Sequence, residues 1–383
     1  MPTIHVLHLI TGLGVGGAER TLQQVVLGLD PARFRSTVVS LGDLGVVGGE
    51  LSVAGVPVTA MGLKPGIGAG LGVRRLARLL QESRPDLVQT WMYHADLLGL
   101  LAARASGSPP LAWNVRGGVQ AWSDLGLSTG LVMRLCAWKS PKPDVVVVNS
   151  EFGLRQHEAI GYRPRAWRLI RNGIDLRRFR PMPEARRAAR AALKAEDDQV
   201  VFGVVGRYHR KKRIPEIVQA FGKTARSEPP ALLALVGEGM ASTNKELMKG
   251  VKRQGTGERV RLVGPTQEVP YWLNGMDVLV SASVSEGFPN VVAEAMACQV
   301  PCVATDVGDT RLLIGDCGEA IPAGDPEALG AAMGAMLALG SERRRRLGER
   351  ARRRVEDEYG LERMIGAYQA LYAELAARPD AGG

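Results

Sequence analysis

Cysteine and aromatic residues are scarce in this chain of 383 residues. It has 4 cysteines, no two of them in a Cys-x-x-Cys pair, and 5% of its residues are aromatic. A disulfide framework or a zinc ribbon needs more cysteines at closer spacing, so the sequence argues against both classes. We therefore expect the protein to work in a reducing compartment.

Long hydrophobic runs are absent as well. No window of about 20 apolar residues occurs, so the sequence predicts no membrane-spanning helix. The first apolar run, residues 4–10, breaks at Thr11 and Gly12 and has no basic segment before it, which favours a core strand over a signal peptide. We expect a cytoplasmic protein whose membrane contact, if it has one, is peripheral.

Basic residues outnumber acidic ones. The chain has 49 Lys and Arg against 39 Asp and Glu, a net charge of +10, within the composition of a folded globular protein. Residues 1–172 carry 18 bases and 11 acids (net +7), so most of the excess lies in the first half. This balance favours phosphorylated or other anionic partners and does not bear on the fold.

Short apolar runs alternate with amphipathic segments along the chain, which predicts parallel β-sheets covered by helices on both faces. The predicted strands are residues 4–10, 36–41, 86–90, 111–115 and 144–149, then 200–205, 231–236, 259–263, 277–281 and 301–305. The pattern restarts after a basic, loop-like stretch at 161–183. We therefore expect two doubly wound α/β domains, a boundary near Asn172, and a ligand cleft between the domains.

A glycine-rich loop follows the first predicted strand. Gly12, Gly14 and Gly17 spell G-x-G-x-x-G directly before a helix that begins near Ala18. Such a loop can approach a phosphate closely, and the helix start offers free N–H groups to it. With Asp43 after the second strand, the loop also fits an NAD-dependent oxidoreductase. A tight turn without a ligand is equally compatible with this segment.

Two glutamates eight positions apart mark the second half. Glu286 and Glu294 flank Pro289, which suits the first turn of a helix, so both carboxylates can face one small ligand. Upstream, a predicted strand ends just before Arg207 and Lys212. An arginine and a lysine at the carboxyl end of a parallel strand suit a pyrophosphate group.

Segments along nearly the whole chain resemble one family. They are GGAER (16–20), TWMYHADLLG (90–99), NSEFGLRQ (149–156), IRNGID (170–175), VGRYHRKKR (205–213), VGEG (236–239), the long block 263–309 and AIPAGDPEALG (320–330). The family is the family-4 glycosyltransferases, retaining enzymes of the GT-B fold that use nucleotide-sugar donors. With GGAER understood as this family's first loop, the NAD alternative becomes weak.

The resemblance also implies domains. Residues 1–172 would form an acceptor-side Rossmann-like domain and residues 173–358 a nucleotide-sugar-binding one, with a cleft between them. The last segment, 359–383, would be a helix that crosses back to the first domain.

The resemblance implies four catalytic residues. Glu286 would position the sugar through its hydroxyls, Arg207 and Lys212 would neutralise the diphosphate, and His94 would lie near the transferred sugar. Glu294 would accept hydrogen bonds from the ribose. The remaining donor-binding residues are Gly16, Gly17, Gly287, Phe288, Asn290, Val291 and Val292.

Three further points concern the chemistry of this predicted site. Lys211 and Arg213 flank Lys212, so the lysine role is ambiguous by one residue. No Asp-x-Asp motif occurs, which favours catalysis without a metal or another cofactor, the cations and helix amides stabilising the leaving diphosphate. Retention in the family is described as a front-face substitution that needs no nucleophilic carboxylate.

The expected partners follow from the same resemblance. They are a UDP- or GDP-sugar and a glycan or lipid-linked acceptor used in cell-surface polysaccharide, lipopolysaccharide or glycolipid synthesis. A nucleotide-sugar epimerase or hydrolase of the same fold is the alternative within the fold. An NAD-dependent oxidoreductase is the alternative outside it.

Two basic segments have weaker functional signals. Arg74, Arg75 and Arg78 stand beside leucines in a predicted helix at 71–82, which is either an ordinary surface helix or a contact with an anionic membrane at the inner face of the cytoplasmic membrane. The arginine runs at 343–346 and 352–354 alternate with glutamates, as in a solvated helix with ion pairs. They lack interleaved aromatic residues, so we expect no nucleic-acid partner.

Overall fold

The computed structural model describes residues 3–63, 69–117, 127–225 and 230–377. It consists of two compact units, Met1–Gly173 together with Leu361–Gly383, and Ile174–Gly360. The chain passes from the first unit to the second between Gly173 and Ile174, one residue beyond the boundary expected near Asn172. The last helix belongs to the first unit.

The first unit is built on a seven-stranded sheet in which every pairing is parallel. Its strands are β1 (Ile4–Ile10), β2 (Phe34–Ser40), β3 (Val58–Ala60), β4 (Leu87–Trp91), β5 (Leu111–Val115), β6 (Val145–Val148) and β7 (Trp167–Leu169). They lie in the order β3-β2-β1-β4-β5-β6-β7. The direction of winding reverses between β1 and β4, which makes this the switch point of the sheet.

The second unit has a six-stranded parallel sheet. Its strands are β8 (Val200–Val205), β9 (Ala231–Val236), β10 (Val260–Gly264), β11 (Val278–Ser281), β12 (Cys302–Thr305) and β13 (Gly318–Ile321). They lie in the order β10-β9-β8-β11-β12-β13. Here the switch point is between β8 and β11, and the loops that leave these two strands are where this fold class binds ligands.

Helices cover both faces of each sheet. In the first unit they are α1 (Gly17–Gly28), α2 (Gly45–Val53), α3 (Ala69–Ser83), α4 (Tyr93–Ala105), α5 (Leu127–Lys139) and α6 (Glu151–Ala159). In the second they are α7 (Pro183–Ala192), α8 (Ile214–Thr224), α9 (Lys245–Gln254), α10 (Val269–Asn274), α11 (Asn290–Ala297), α12 (Thr310–Ile314), α13 (Pro326–Ala338) and α14 (Gly340–Glu358). Within the described ranges, none of the helices has both the length and the apolar composition that crossing a membrane requires.

The final helix, α15 (Leu361–Ala376), is part of the core of the first unit. Its side chains Tyr368 and Tyr372 are wholly buried, in the same cluster as Val6 of β1 and Leu22 of α1. The hydroxyl of Tyr368 accepts a hydrogen bond of 2.9 Å from the Asn114 side chain. The helix therefore fills one face of the first sheet.

Among the described residues, the ten predicted strands all form, and the sequence analysis missed three others. The stretch 161–183 was expected to be a loop, and this is wrong for Trp167–Leu169, which pairs with β6. The strands β3, β7 and β13 have only three or four residues each. All three lie at the edge of a sheet and have partly exposed side chains, so they lack the continuous apolar run of a buried strand.

Two glycines in consecutive helices give a test of the packing in the second unit. A Cβ atom at Gly348 in α14 would lie 2.0 Å from the backbone oxygen of Gln299, whereas at Gly334 in α13 no heavy atom lies within 4 Å. Gly348→Ala should lower the free energy of unfolding by about 1–3 kcal/mol through overpacking. Gly334→Ala should raise it by up to about 1 kcal/mol, because alanine favours the helix.

Urea denaturation of the two variants and the wild type measures both effects. If the two substitutions changed the free energy of unfolding in the same direction, that result would contradict the packing of α14 against the turn before β12.

Candidate functional site

The loops after β8 and β11 bring two of the predicted catalytic residues into contact. Lys212 Nζ lies 2.5 Å from Glu286 Oε1, although 74 positions separate the two residues in the chain. The N–H of Val284 also donates a 2.9 Å hydrogen bond to the backbone oxygen of Lys211. The two loops are therefore joined through both side chains and backbone at the switch point of the second sheet.

The three consecutive basic residues 211–213 differ in their contacts. Arg213 has a left-handed backbone conformation (φ 51°), and its guanidinium pairs with Glu216 at 2.9 Å, away from Glu286. Lys211 contributes its backbone oxygen, as described above. Within the described part of the chain, Lys212 is the member of this trio that contacts Glu286.

Arg207 lies two residues beyond the end of β8, and its side chain is exposed. The backbone around it is fixed to the neighbouring strand, because Gly206 N–H donates to Val236 O at 2.9 Å and Tyr208 N–H donates to Glu238 O at 2.7 Å. The guanidinium of Arg207 thus extends from a fixed point at the carboxyl edge of the sheet.

The loop that carries Glu286 and Gly287 rests on the turn after β12. The N–H of Asp309 donates a 3.0 Å hydrogen bond to Gly287 O. Gly308 has a φ of +61°, and a Cβ atom there would lie 2.4 Å from Gly287 O and 2.6 Å from Glu286 O. Only glycine fits this close approach. The sequence did not single out Gly308, whose one signal was its position inside the block 263–309.

The remaining donor-binding candidates, at the start of α11, differ in burial. Phe288 is 5% exposed and its ring lies 5.6 Å from that of Tyr359, so only its backbone can face a ligand. Val292 is wholly buried, because its side chain lies on the face of α11 that packs into the core. Val291 and Asn290 remain partly exposed.

Glu294 lies one turn inside α11, in a different environment from Glu286. Burial raises the pKa of Glu294 to about 7, and the positive charge of Arg178 acts in the opposite direction. Arg178 itself donates to the backbone oxygen of Gln267 at 3.3 Å. Near neutral pH this carboxyl group is therefore poised between an acid, which donates a hydrogen bond, and a carboxylate, which accepts. Arg178 was not identified from the sequence.

In the first unit, Gly16, Gly17 and His94 lie at the switch point between β1 and β4. The ends of these strands are paired, Ile10 with Trp91. Gly16 caps α1 and Gly17 is its first residue, while His94 is in the first turn of α4. Burial lowers the pKa of His94, so its imidazole is neutral at pH 7.

Arg116, which the sequence did not single out, is a buried cation at the same edge of the first sheet. It follows β5, is 8% exposed and donates to Thr21 Oγ1 at 3.0 Å and to the side-chain oxygen of Asn172. It therefore connects the first turns of α1 with the segment that leaves the first unit. Just after that segment, the Asp175 side chain accepts a 2.9 Å hydrogen bond from the N–H of Arg177, an arrangement typical of a turn.

The second switch point brings together basic and acidic side chains. Among the described residues, no group of three or more His, Cys, Asp or Glu side chains is placed to hold a metal ion. Arg207 and Lys212 instead offer hydrogen-bond donors to an anion, whereas in the first turn of α11 the N–H groups of Asn290 and Val292 already donate to Phe288 O and Pro289 O. Glu286 and Glu294 offer acceptors to hydroxyl groups. The arrangement suits a ligand that combines phosphate with sugar hydroxyls.

Two family models match the chain. The model described as "Glycosyltransferase Family 4" matches residues 15–178, and the model described as "Glycosyl transferases group 1" matches residues 199–338. The chain belongs to the family-4 glycosyltransferases. The NAD-dependent oxidoreductase is therefore wrong as an interpretation of the glycine-rich loop.

Curated relatives of this glycosyltransferase match it over part of their length. The N-acetyl-alpha-D-glucosaminyl L-malate synthase of Bacillus anthracis is 33% identical over 183 residues, which is 47% of each chain. The UDP-Gal:alpha-D-GlcNAc-diphosphoundecaprenol alpha-1,3-galactosyltransferase of Escherichia coli is 23% identical over 258 residues, 62% of each chain. The chain thus spans about half the length of the curated relatives it matches.

The fold of this glycosyltransferase is also found in solved structures. The crystal structure of Anabaena Alr3699/HepE in complex with UDP and glucose aligns with a TM-score of 0.82 at 20% identity, over 98% of this chain and 100% of that one. At this level of identity the likeness concerns the fold. It shows the GT-B architecture of two Rossmann-like units.

The pKa of Glu294 generates a test that needs no ligand. The ordinary pKa of 4.5 is raised to about 7, so the folded state keeps this proton between those two pH values while the unfolded chain releases it. Stability therefore falls as pH rises through that window. Glu294→Gln removes this titrating group. The free energy of unfolding of the variant minus that of the wild type should therefore be about 1–3 kcal/mol larger at pH 8 than at pH 5.

Chemical denaturation at the two pH values measures this difference. Glu319→Gln, at an exposed position in β13, is the matched control for the loss of a carboxylate. A difference between Glu294→Gln and wild type that is the same at pH 5 and pH 8 would contradict the raised pKa.

Proposed function

We propose that this family-4 glycosyltransferase moves a sugar from a UDP- or GDP-sugar to a glycan or lipid-linked acceptor, with retention of the anomeric configuration. The observation that supports it most is the 2.5 Å contact between Lys212 and Glu286. That contact puts a cation suited to a diphosphate beside a carboxylate suited to sugar hydroxyls, at a switch point where ligands bind in this fold class.

The ion pair indicates how the two side chains would divide the donor. A diphosphate supplies negative charge to Lys212, and the carboxylate of Glu286 is then available to accept hydrogen bonds from the sugar. The Lys212 and Glu286 side chains are 30% and 20% exposed, so their charges are less screened than at an open surface. Arg207 would add a planar two-point contact to the same diphosphate.

The leaving nucleoside diphosphate gains negative charge as its bond to the sugar breaks. Arg207, Lys212 and the positive end of the α11 helix dipole would stabilise that charge from fixed positions, without a metal ion or other cofactor. A donor phosphate oxygen would take the proton of the acceptor hydroxyl while the hydroxyl attacks the same face of the sugar. Glu286 then orients the sugar and forms no bond to it.

The roles of the other candidates follow from the same scheme. Glu294 would accept hydrogen bonds from the ribose, and Val291 would lie beside it. The backbone of residues 287–288 and Asn290 would form hydrogen bonds with the sugar hydroxyls. In the first unit, His94 is proposed to contact the transferred sugar, and its lowered pKa keeps it from adding positive charge there. Gly16 and Gly17 are proposed to approach the donor phosphate or the acceptor.

The comparisons favour UDP over GDP and an acceptor attached to lipid. The Anabaena structure contains UDP and glucose, and the Escherichia coli relative is named for a UDP-Gal donor and a diphosphoundecaprenol acceptor. We extend both features to this chain and propose cell-surface polysaccharide, lipopolysaccharide or glycolipid synthesis as its setting. A lipid-linked acceptor also favours a cytoplasmic enzyme that contacts the inner face of the cytoplasmic membrane, with the arginines of α3 as one point of contact.

A nucleotide screen tests the donor class. UDP and UDP-sugars should raise the melting temperature more than GDP, ADP or TDP and their sugars. In calorimetry, Arg207→Ala should weaken UDP binding by about 10- to 100-fold, since it removes charge-assisted hydrogen bonds to the diphosphate. Arg210→Ala removes the same charge three residues further along the exposed loop and should change UDP affinity by less than about threefold. No binding of any nucleotide would contradict the proposal.

A transfer assay tests the role of Glu286. Glu286→Ala should lower turnover at saturating donor by about 100-fold or more, because the sugar loses its positioning contact, while Glu319→Ala serves as the control for an exposed carboxylate. Proton NMR of the product measures the rate and the anomeric configuration together, and an α-linked donor should give an α-linked product. Sugar release that needs no acceptor would favour a hydrolase or epimerase instead.

A further inference from the structure

Helix α5 presents an apolar stripe to solvent. Leu131, Leu135 and Trp138 are 61%, 36% and 70% exposed. Their spacing, i, i+4 and i+7, puts them on one face of the helix. The opposite face, with Met133 and Cys136, is wholly buried in the core of the first unit. These three residues, the α5 stripe, therefore form a second apolar face that core packing does not use.

An apolar stripe of this kind indicates a binding surface. Single exposed leucines are normal on a protein surface, whereas aligned large apolar side chains that include a tryptophan are typical of contact sites. The Nζ atom of Lys139 lies 3.4 Å from the centre of the Trp138 ring. A cation and an aromatic ring are thus presented side by side at one end of the stripe.

The layer of helices that contains the α5 stripe is basic. Helices α3, α4 and α5 lie on the same face of the first sheet, since Leu80, Leu100 and Met133 share one core cluster. The three helices contain two acidic residues, Glu82 and Asp96, and Asp96 is wholly buried. Their six basic residues are Arg74, Arg75, Arg78, Arg104, Arg134 and Lys139.

An anionic bilayer is the partner that matches both features. Tryptophan and leucine side chains bury favourably at the level of the lipid headgroups, where the indole N–H can remain hydrated. Arginine and lysine side chains around them attract phosphate headgroups. A second copy of this chain fits less well, because joining two such faces would bring six basic residues against six others.

We propose that the α5 stripe inserts into the headgroup region of an anionic membrane, with the basic residues of α3 and α4 held against the lipid phosphates. This inference rests on the lipid-linked acceptor of the proposed function, and it extends the expected contact from the arginines of α3 to an apolar anchor. Helix α4 begins at the sheet edge that carries His94. The membrane would therefore lie along helices that start at that edge.

Vesicle sedimentation with the full-length chain tests the anchor. Vesicles of 30% phosphatidylglycerol in phosphatidylcholine should bind the wild type, whereas the double variant Leu135→Ser/Trp138→Ser should bind them about tenfold or more weakly. The matched control is Leu27→Ser/Val53→Ser, which removes two exposed apolar side chains from α1 and α2. An unchanged partition coefficient for the stripe variant would overturn the proposal.

A second pair of variants tests the charge. Arg74→Gln/Arg78→Gln should weaken binding to the same vesicles by roughly fivefold for each charge removed. Arg343→Gln/Arg353→Gln in α14 removes an equal charge from exposed positions in the second unit. An equal loss of vesicle binding in both double variants would assign the effect to net charge, and it would overturn the role proposed for the basic residues of α3. Equally tight binding of the wild type to pure phosphatidylcholine would overturn its preference for anionic lipid.

Two further measurements separate this surface from the donor site and from self-association. The stripe variant should bind UDP as the wild type does, so a loss of vesicle binding alone concerns the membrane surface. A chain that binds vesicles but no nucleotide would instead overturn the proposed function. Sedimentation velocity that shows a dimer abolished by the stripe substitutions, without any vesicle binding, would assign the face to a second copy and overturn the membrane proposal.

Discussion

The parallel pairing of β8 with β11 is the constraint on which the candidate site depends. It makes two loops neighbours at one edge of the second sheet, and the contact between Lys212 and Glu286 follows from it. Because winding reverses at this pair, no crossover helix covers the gap between the two loops. A ligand can therefore reach the cation on one side and the carboxylate on the other.

The packing behind this edge keeps the loops in place. The close approach of Gly308 to the backbone of Glu286 and Gly287, and the burial of Phe288, fix the loop from the side opposite the ligand. Fixed groups stabilise developing charge without reorganising when the reaction occurs. The same residues that complete the core of the second unit thereby also hold its polar edge, and stability and site geometry are coupled through them.

The two units share the same sheet topology but carry different residues at the switch point and on the outer helices. Both sheets have the same winding, with a glycine-rich loop and His94 at the first switch point and a basic loop and Glu286 at the second. The outer faces also differ. The first unit carries the α5 stripe within a basic layer, whereas in α14 of the second unit four arginines pair with glutamates of the same helix, Arg345, Arg346, Arg352 and Arg354.

The sequence by itself determined the class of fold, the positions of the buried strands, and the motifs of a family-4 glycosyltransferase, because periodicity and motifs are properties of neighbouring residues. Only the tertiary structure decided which of three adjacent basic residues meets Glu286, that Val292 packs into the core, and that Gly308 and Arg178 belong beside the site. These outcomes depend on contacts between residues far apart in the chain. Such contacts exist only once strand pairing and burial have set the neighbours of each side chain.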